Sequence, residues 1–198
     1  MNNILAFIRR LSILRWRLMS FFFYSKTFHS FGKSSLIIDP IMILGNKHIS
    51  IGDNVLIRDG IRLEVVDPQS DVVIKIGNNV NIEQFVHIVA RCNISIGNNV
   101  SITGGCSIVD VVHPYDDISA INKIGNRIED VYMPVSIGDG SFIGFGSHIN
   151  PGVKIGRYCI IGARSVVTNN VDDYSVAAGN PARIIKKYNF DTQVWEKV

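Results

Sequence analysis

VSIGDGSFIGFGSHINPGVKIGRYCIIGARSVVTNNV, residues 135–171, decides how this chain folds. Counting in sixes from Ile137 gives Ile143, Ile149, Ile155, Ile161 and Val167 without a break. Two places before each stands a small or aliphatic residue: Val135, Ser141, Ser147, Val153, Cys159 and Ser165. Two inward residues separated by one outward residue is strand alternation. The breaks between pairs, such as Gly138-Asp139-Gly140 and Gly156-Arg157-Tyr158, are turn chemistry. A helix cannot hold this period, because six residues make about 1.7 turns and successive aliphatics would face opposite ways. One long strand cannot hold it either, because glycine interrupts it. What remains is a chain of short strands that bends at every turn and coils on itself. Each strand then pairs with the coils above and below, and the aliphatics stack into one core. That is an all-β fold, a parallel β-helix.

The same register appears earlier. Ile51, Ile57 and Leu63 are flanked by Ile49, Val55 and Ile61. Ile76, Ile82 and Ile88 are flanked by Ile74, Val80 and Val86, and Ile96, Ile102 and Ile108 by Ile94, Val100 and Cys106. The phase slips between runs, as at Ala90 to Asn93, so irregular corners are expected there. A β-sandwich with coincidental spacing is the competing fold, and the unbroken run from 137 to 167 argues against it. Phe31 to Gly45 reads as a lead-in to the first coil, and Asp67 to Asp71 as a turn between coils. Residues 110–134 hold no register. A long loop thrown out of a rigid repeat is usually functional.

Charge is unevenly placed. The chain of 198 residues has a net charge of +3, yet residues 1–38 hold Arg9, Arg10, Arg15, Arg17, Lys26 and Lys33 with no acid. The remaining 14 basic and 17 acidic residues leave the body at −3, which is not the balance of a nucleic-acid binder. Residues 3–24 read as an amphipathic helix with Ile4, Phe7, Ile8, Leu11, Leu14 and Leu18 in one stripe. Arginines interrupt its apolar run, so neither a signal peptide nor a membrane span is expected. Two roles fit it: contact with an anionic membrane surface through residues 1–24, or an apolar stripe that closes the end of the β-helix. The expected organisation is a helical segment over 1–34, the β-helix over 35–187 with the 110–134 excursion, and a short helix or tail over 188–198. Cys92, Cys106 and Cys159 read as buried thiols in a reducing compartment; their spacing matches no zinc motif.

His113, at the start of the excursion, is the strongest candidate base, because imidazole titrates near neutrality. Asp110 and then Asp116 are the carboxylates best placed in sequence to fix its tautomer. A loop histidine with no partner is the alternative. His87 and His148 precede inward isoleucines and should point outward; His29 and His48 carry no signal.

Ile137-Gly138-Asp139-Gly140-Ser141-Phe142 and Ile161-Gly162-Ala163-Arg164-Ser165-Val166 resemble the hexapeptide-repeat acyltransferases. That resemblance spans about residues 45–187. It implies a left-handed β-helix of triangular section, three hexapeptides per coil, assembled as a homotrimer. Val112-His113-Pro114-Tyr115 is similar to the His-Pro that supplies the base in the galactoside, maltose and polysaccharide acetyltransferases, and Asp110 resembles the Asp before that histidine. Ala177 to Lys187 resembles the signature beside the coenzyme A groove. Carried over by position, Ala163 and Thr168, with Asn169, would face the pantetheine or adenine end, and Arg183 and Lys186 phosphate. Gly144-Phe145-Gly146 looks like a Gly-rich loop at the same cofactor, although the repeat already accounts for Gly144. Glu83 and Arg91 replace an Asn and an Asp of the galactoside branch. With Tyr115 and Asp116 they would face the acceptor.

The resemblance therefore implies an acetyl-CoA-dependent O-acetyltransferase acting on a sugar or glycan hydroxyl. The expected setting is bacterial surface-polysaccharide synthesis in the cytoplasm, with no metal and no nucleic-acid partner. Acyl transfer to a sugar amine, serine or an antibiotic is the nearest rival. A zinc lyase on the same fold would need a close histidine pair that these five histidines lack. A structural or ice-binding β-helix would need flat outward rows of threonine.

Overall fold

A computed structural model describes residues 2–119 and 121–198; for residues 2–10 it describes the helix they form. Three stacked sheets make a three-sided coil, and each sheet receives every third strand. The first face stacks Ser30–Phe31, Ile49–Ile51, Ile74–Ile76, Ile94–Ile96, Val135–Ile137 and Lys154–Ile155. The second stacks Leu36–Ile37, Leu56–Ile57, Asn81–Ile82, Ser101–Ile102, Phe142–Ile143 and Ile160–Ile161. Met42–Leu44, Arg62–Val65, His87–Ala90, Ser107–Val109, His148–Ile149 and Val166–Val167 form the third. Neighbours on all three faces run parallel, so the sequence period becomes columns. One column is Ile37, Ile57, Ile82, Ile102, Ile143, Ile161 and Ala177; another is Ile43, Leu63, Ile88, Ile108, Ile149 and Val167. Ser141, Ser147 and Ser165 stand at inward positions and are buried. Each hydroxyl donates to a backbone carbonyl, of Gly156, Gly162 and Gly162 respectively, at 2.7–2.9 Å. That pairing offsets the cost of burying them.

The turns between the first and second faces share one device. Asn78 Oδ1 accepts the Asp53 N–H, Asn98 Oδ1 the Asn78 N–H and Asp139 Oδ1 the Asn98 N–H, at 2.7–2.8 Å. Each turn's side chain satisfies a donor of the coil before it. The next residue in each case, Asn54, Asn79, Asn99 and Gly140, takes a left-handed φ of 54–69°, which Asn and Gly tolerate best. A Cβ on Gly140 would lie 2.6 Å from the Tyr158 ring, so this position excludes larger residues on space as well.

Three expectations change. The segment from Phe31 to Gly45 is itself the first coil, not a lead-in, so the coil begins at Ser30 rather than near residue 35. Phe31, Ile37 and Ile43 keep the six-residue step, but no Gly follows the last two. The closing segment is neither helix nor tail. Ala182–Asn189 and Val194–Lys197 form an antiparallel hairpin that extends the second sheet past Ser175–Gly179. Tyr188 and Trp195 face each other across it with rings 5.4 Å apart, a cross-strand aromatic pair.

The third change concerns the N-terminal helix, Asn2–Met19, and its continuation through a π-helical turn at Ser20–Tyr24. The stripe against the coil is Trp16, Ser20, Tyr24 and Phe28, all buried. α-Helical residues four apart drift by about 40°; the wider π turn takes up that drift and keeps the four in line. Tyr24 and Phe28 pack with Phe31 over the open end of the core, and the Ile37 N–H donates to Ser20 Oγ at 3.5 Å. The stripe expected from sequence lies elsewhere: Leu11, Leu14 and Leu18 are half-exposed, and the side chains of Ile4, Phe7, Ile8, Arg9 and Arg10 lie outside the described residues. No helix among the described residues is long and apolar enough to cross a membrane.

Candidate active site

The corner between the third and first faces carries the site. Val89 and Ala90 end a third-face strand, and Arg91, Cys92 and Asn93 turn the chain with three N–H groups that no strand pairs. Asp110, one coil on and fully buried, accepts all three, at 2.5, 2.9 and 2.7 Å. Burial pushes its carboxyl above the usual range, while those three N–H groups and the Arg91 charge pull it back. Both oxygens are thus committed to backbone. The expectation that Asp110 orients His113 is corrected: it holds the corner from which the excursion departs.

Both limbs of the excursion are fastened to that corner. Arg91 is buried, and its guanidinium reaches Asp67 on the 67–71 turn at 3.0 Å and Asp130 on the returning limb at 2.8 Å. The Cys92 thiol donates to the Val131 carbonyl at 3.3 Å. The two limbs also meet each other. The Glu129 N–H donates to the Val112 carbonyl at 2.9 Å, and His113 Nδ1 lies 2.6 Å from the Arg127 carbonyl oxygen. A carbonyl oxygen only accepts, so Nδ1 carries a hydrogen, and in the neutral ring the lone pair is on Nε2. His113 is solvent-exposed, and its ring is tethered through Nδ1.

The expected cofactor residues fall at two corners. Gly144, Phe145, Ala163 and Arg183 come together at the corner between the second and third faces. A Cβ on Gly144 would sit 2.6 Å from the Ala163 nitrogen, the Phe145 carbonyl accepts the Arg164 N–H at 2.7 Å, and Ala178, above Gly162, pairs with Arg183. Lys186 follows on the Arg183 strand. Thr168 and Asn169 lie at the far end of Val166–Val167, on the same corner as His113 but further along the coil. Within one chain, the third face separates the His113 corner from the Gly144–Arg183 corner.

The acceptor set divides as well. Arg91 is not open to a ligand, because two carboxylates use its guanidinium. Glu83 pairs with Arg58 at 2.9 Å, just past second-face strands at the corner between the second and third faces. Tyr115 and Asp116 are exposed beside His113. The three cysteines are free and buried, and burial raises the thiols of Cys106 and Cys159. His87 and His148 point outward half-buried, with Ser107 between them in one row of the third face; burial lowers both. Two participants escaped sequence reading. Asp130 sits in a charged stretch, Lys123 to Asp130, whose partner sequence could not name. The Arg127 carbonyl is backbone and carries no signal in residue identity. Among the described residues no group of His, Cys, Asp or Glu could hold a metal ion.

Comparison with known proteins agrees with this architecture. Residues 134–169 match the family described as Bacterial transferase hexapeptide (six repeats). The chain is 33% identical over 162 residues to an Escherichia coli K12 protein named for lipopolysaccharide biosynthesis O-acetyl transfer, WbbJ, with 80% of this chain and 81% of that one covered. It is 34% identical over 116 residues to the galactoside O-acetyltransferase of the same organism, spanning 59% of this chain but only 55% of that one. Among solved structures, AntD, an N-acyltransferase from Bacillus cereus in complex with dTDP and 3-hydroxybutyryl-CoA, superposes with a TM-score of 0.71 at 25% identity, covering 84% and 86% of the two chains.

Proposed function

This chain belongs to the hexapeptide-repeat acetyltransferases, and from that premise we propose that it moves an acetyl group from acetyl-CoA to a sugar hydroxyl, with His113 as the base. The observation that carries the reading is the 2.6 Å contact between His113 Nδ1 and the Arg127 carbonyl, which leaves Nε2 to take a proton. Nε2 takes the acceptor hydroxyl proton as that oxygen bonds to the thioester carbonyl carbon. The C–S bond then breaks, and the imidazolium returns the proton to the leaving thiolate. The products are an acetyl ester and free coenzyme A. A base positioned in this way typically contributes about 10²–10⁴ in rate.

The chain's own residues suit that co-substrate. Arg183 and Lys186 are two cations on one strand for a polyanionic end, and Ala163 and Gly144 leave a low wall for a narrow arm. The reading carries the family's left-handed winding and three-fold assembly with it. Support for the assembly is topological: His113 and the Gly144–Arg183 corner stand on opposite edges of the third face, so neighbouring copies would bring complementary halves together. Tyr115, Ile118, Ile121 and Tyr132 on the excursion stand 71% exposed or more, as residues awaiting a neighbour would. Acetyl-CoA as donor favours a cytoplasmic reaction, and the likeness to WbbJ favours an acceptor in surface-polysaccharide synthesis. A sugar amine is the second reading, favoured by the likeness to AntD.

The test is coenzyme A release from acetyl-CoA with a panel of sugars, amino sugars, nucleotide sugars and polysaccharide fragments, wild type beside His113→Ala. Acceptor-dependent release that falls at least 100-fold in the variant is expected. Equal release by both proteins would remove His113 from the role.

A further inference from the structure

The N-terminal helix has two apolar stripes, and the coil uses one. Trp16, Ser20, Tyr24 and Phe28 are buried, and Tyr24 and Phe28 join the core. The second stripe, Leu11, Leu14, Leu18 and Phe22, recurs at helical spacing on another face and is 50–60% exposed, with Phe21 beside it at 71%. It runs into a groove of about 1000 Å³ between the helix and the first coils. Leu18, Phe22 and Leu36 line that groove together with Arg17, Lys26 and Lys33. Residues 1–38 contain no Asp or Glu.

Apolar side chains bordered by cations match the profile of an anionic bilayer, where the stripe meets the acyl boundary and the charges meet phosphates. A second copy's helix suits the stripe less well. It would set the four arginines of Asn2–Met19 against four more with no acid on either helix to offset them. We propose that this stripe and groove dock the protein on an anionic phospholipid surface. Leu14, Leu18, Phe21 and Phe22 enter the acyl boundary, and Arg17, Lys26 and Lys33 meet lipid phosphates. This docking stands apart from the acyl-transfer reading and involves none of its residues. It also differs from a whole-helix amphipathic contact, because the Trp16–Phe28 stripe stays on the coil.

Co-sedimentation of the full chain with vesicles tests it, using neutral phosphatidylcholine and phosphatidylcholine mixed with phosphatidylglycerol. The expected result is binding to the mixed vesicles, weakened by added salt, and little binding to neutral ones. Two variants, Leu14→Ser with Phe22→Ser and Lys26→Glu with Lys33→Glu, should each lower binding at least tenfold while thermal unfolding and oligomer mass stay unchanged. Four results overturn the proposal: no binding by wild type, equal binding to both vesicle types, wild-type binding by both variants, or a change of oligomer mass in the Leu14→Ser, Phe22→Ser protein. The last would show that another copy covers the stripe.

Discussion

The base role proposed for His113 requires a held ring, and what holds the ring is a carbonyl three residues before a pinned carboxylate. Arg91 spans Asp67 and Asp130, and Asp130 steadies the limb that ends at the Arg127 carbonyl. On the proposed mechanism Arg91 is therefore a positioning residue. Arg91→Met should lower kcat by about 10- to 100-fold with little change in KM for acetyl-CoA, since misplacement of about 1 Å costs rate on that scale. Arg91→Lys should not rescue it, because an ammonium cannot present the planar fork that spans two carboxylates. Steady-state kinetics would decide this, and a loss confined to KM would assign Arg91 to binding instead. Asp110 offers a second test. Asp110→Asn turns an amide N–H toward backbone donors, so about 1–3 kcal/mol of stability should be lost in denaturant unfolding.

At the scale of elements, the third face carries a titration signature. Burial lowers the pKa of His87 and His148 below the value of about 6.5 they have when unfolded. Between those values the unfolded chain binds more protons than the folded one, so stability falls as pH drops through that window. The melting temperature should decline below about pH 6.5, and His87→Gln with His148→Gln should flatten the decline in a calorimetric pH series. An unchanged slope would place the acid sensitivity elsewhere. The core columns are a separate matter of packing. Ile88 and Ile102 have no exposed surface, so truncating either to Ala should cost about 2–5 kcal/mol. The repeating elements were legible in sequence because inward Ile at every sixth place is the contact itself, read one residue at a time. The first coil and the closing hairpin were harder to read. Gly follows neither Ile37 nor Ile43, and the hairpin obeys strand pairing rather than the hexapeptide period.

For the whole molecule, the separation of the two corners makes a prediction about assembly. If neighbouring copies share each site, His113→Ala and Arg183→Glu subunits, each impaired alone, should complement each other. Random co-assembly around a three-fold ring would restore about a quarter of wild-type activity at low acetyl-CoA. Mixed oligomers that stay as inactive as their parents would place both halves in one chain.

Sequence by itself determined the coiled β architecture, the excursion at 110–134, the candidate base and the acyltransferase family. Each of these depends on local period or on a motif that survives without its neighbours. Only the tertiary structure decided that Asp110 serves backbone N–H groups, that Arg91 is buried between two carboxylates, and that Trp16, Ser20, Tyr24 and Phe28 rather than the leucine stripe are buried. The physical reason is common to all three. Each is a choice among partners that lie 17–39 residues apart, and residue type says what a side chain can bond but not which of its candidates the fold brings within reach.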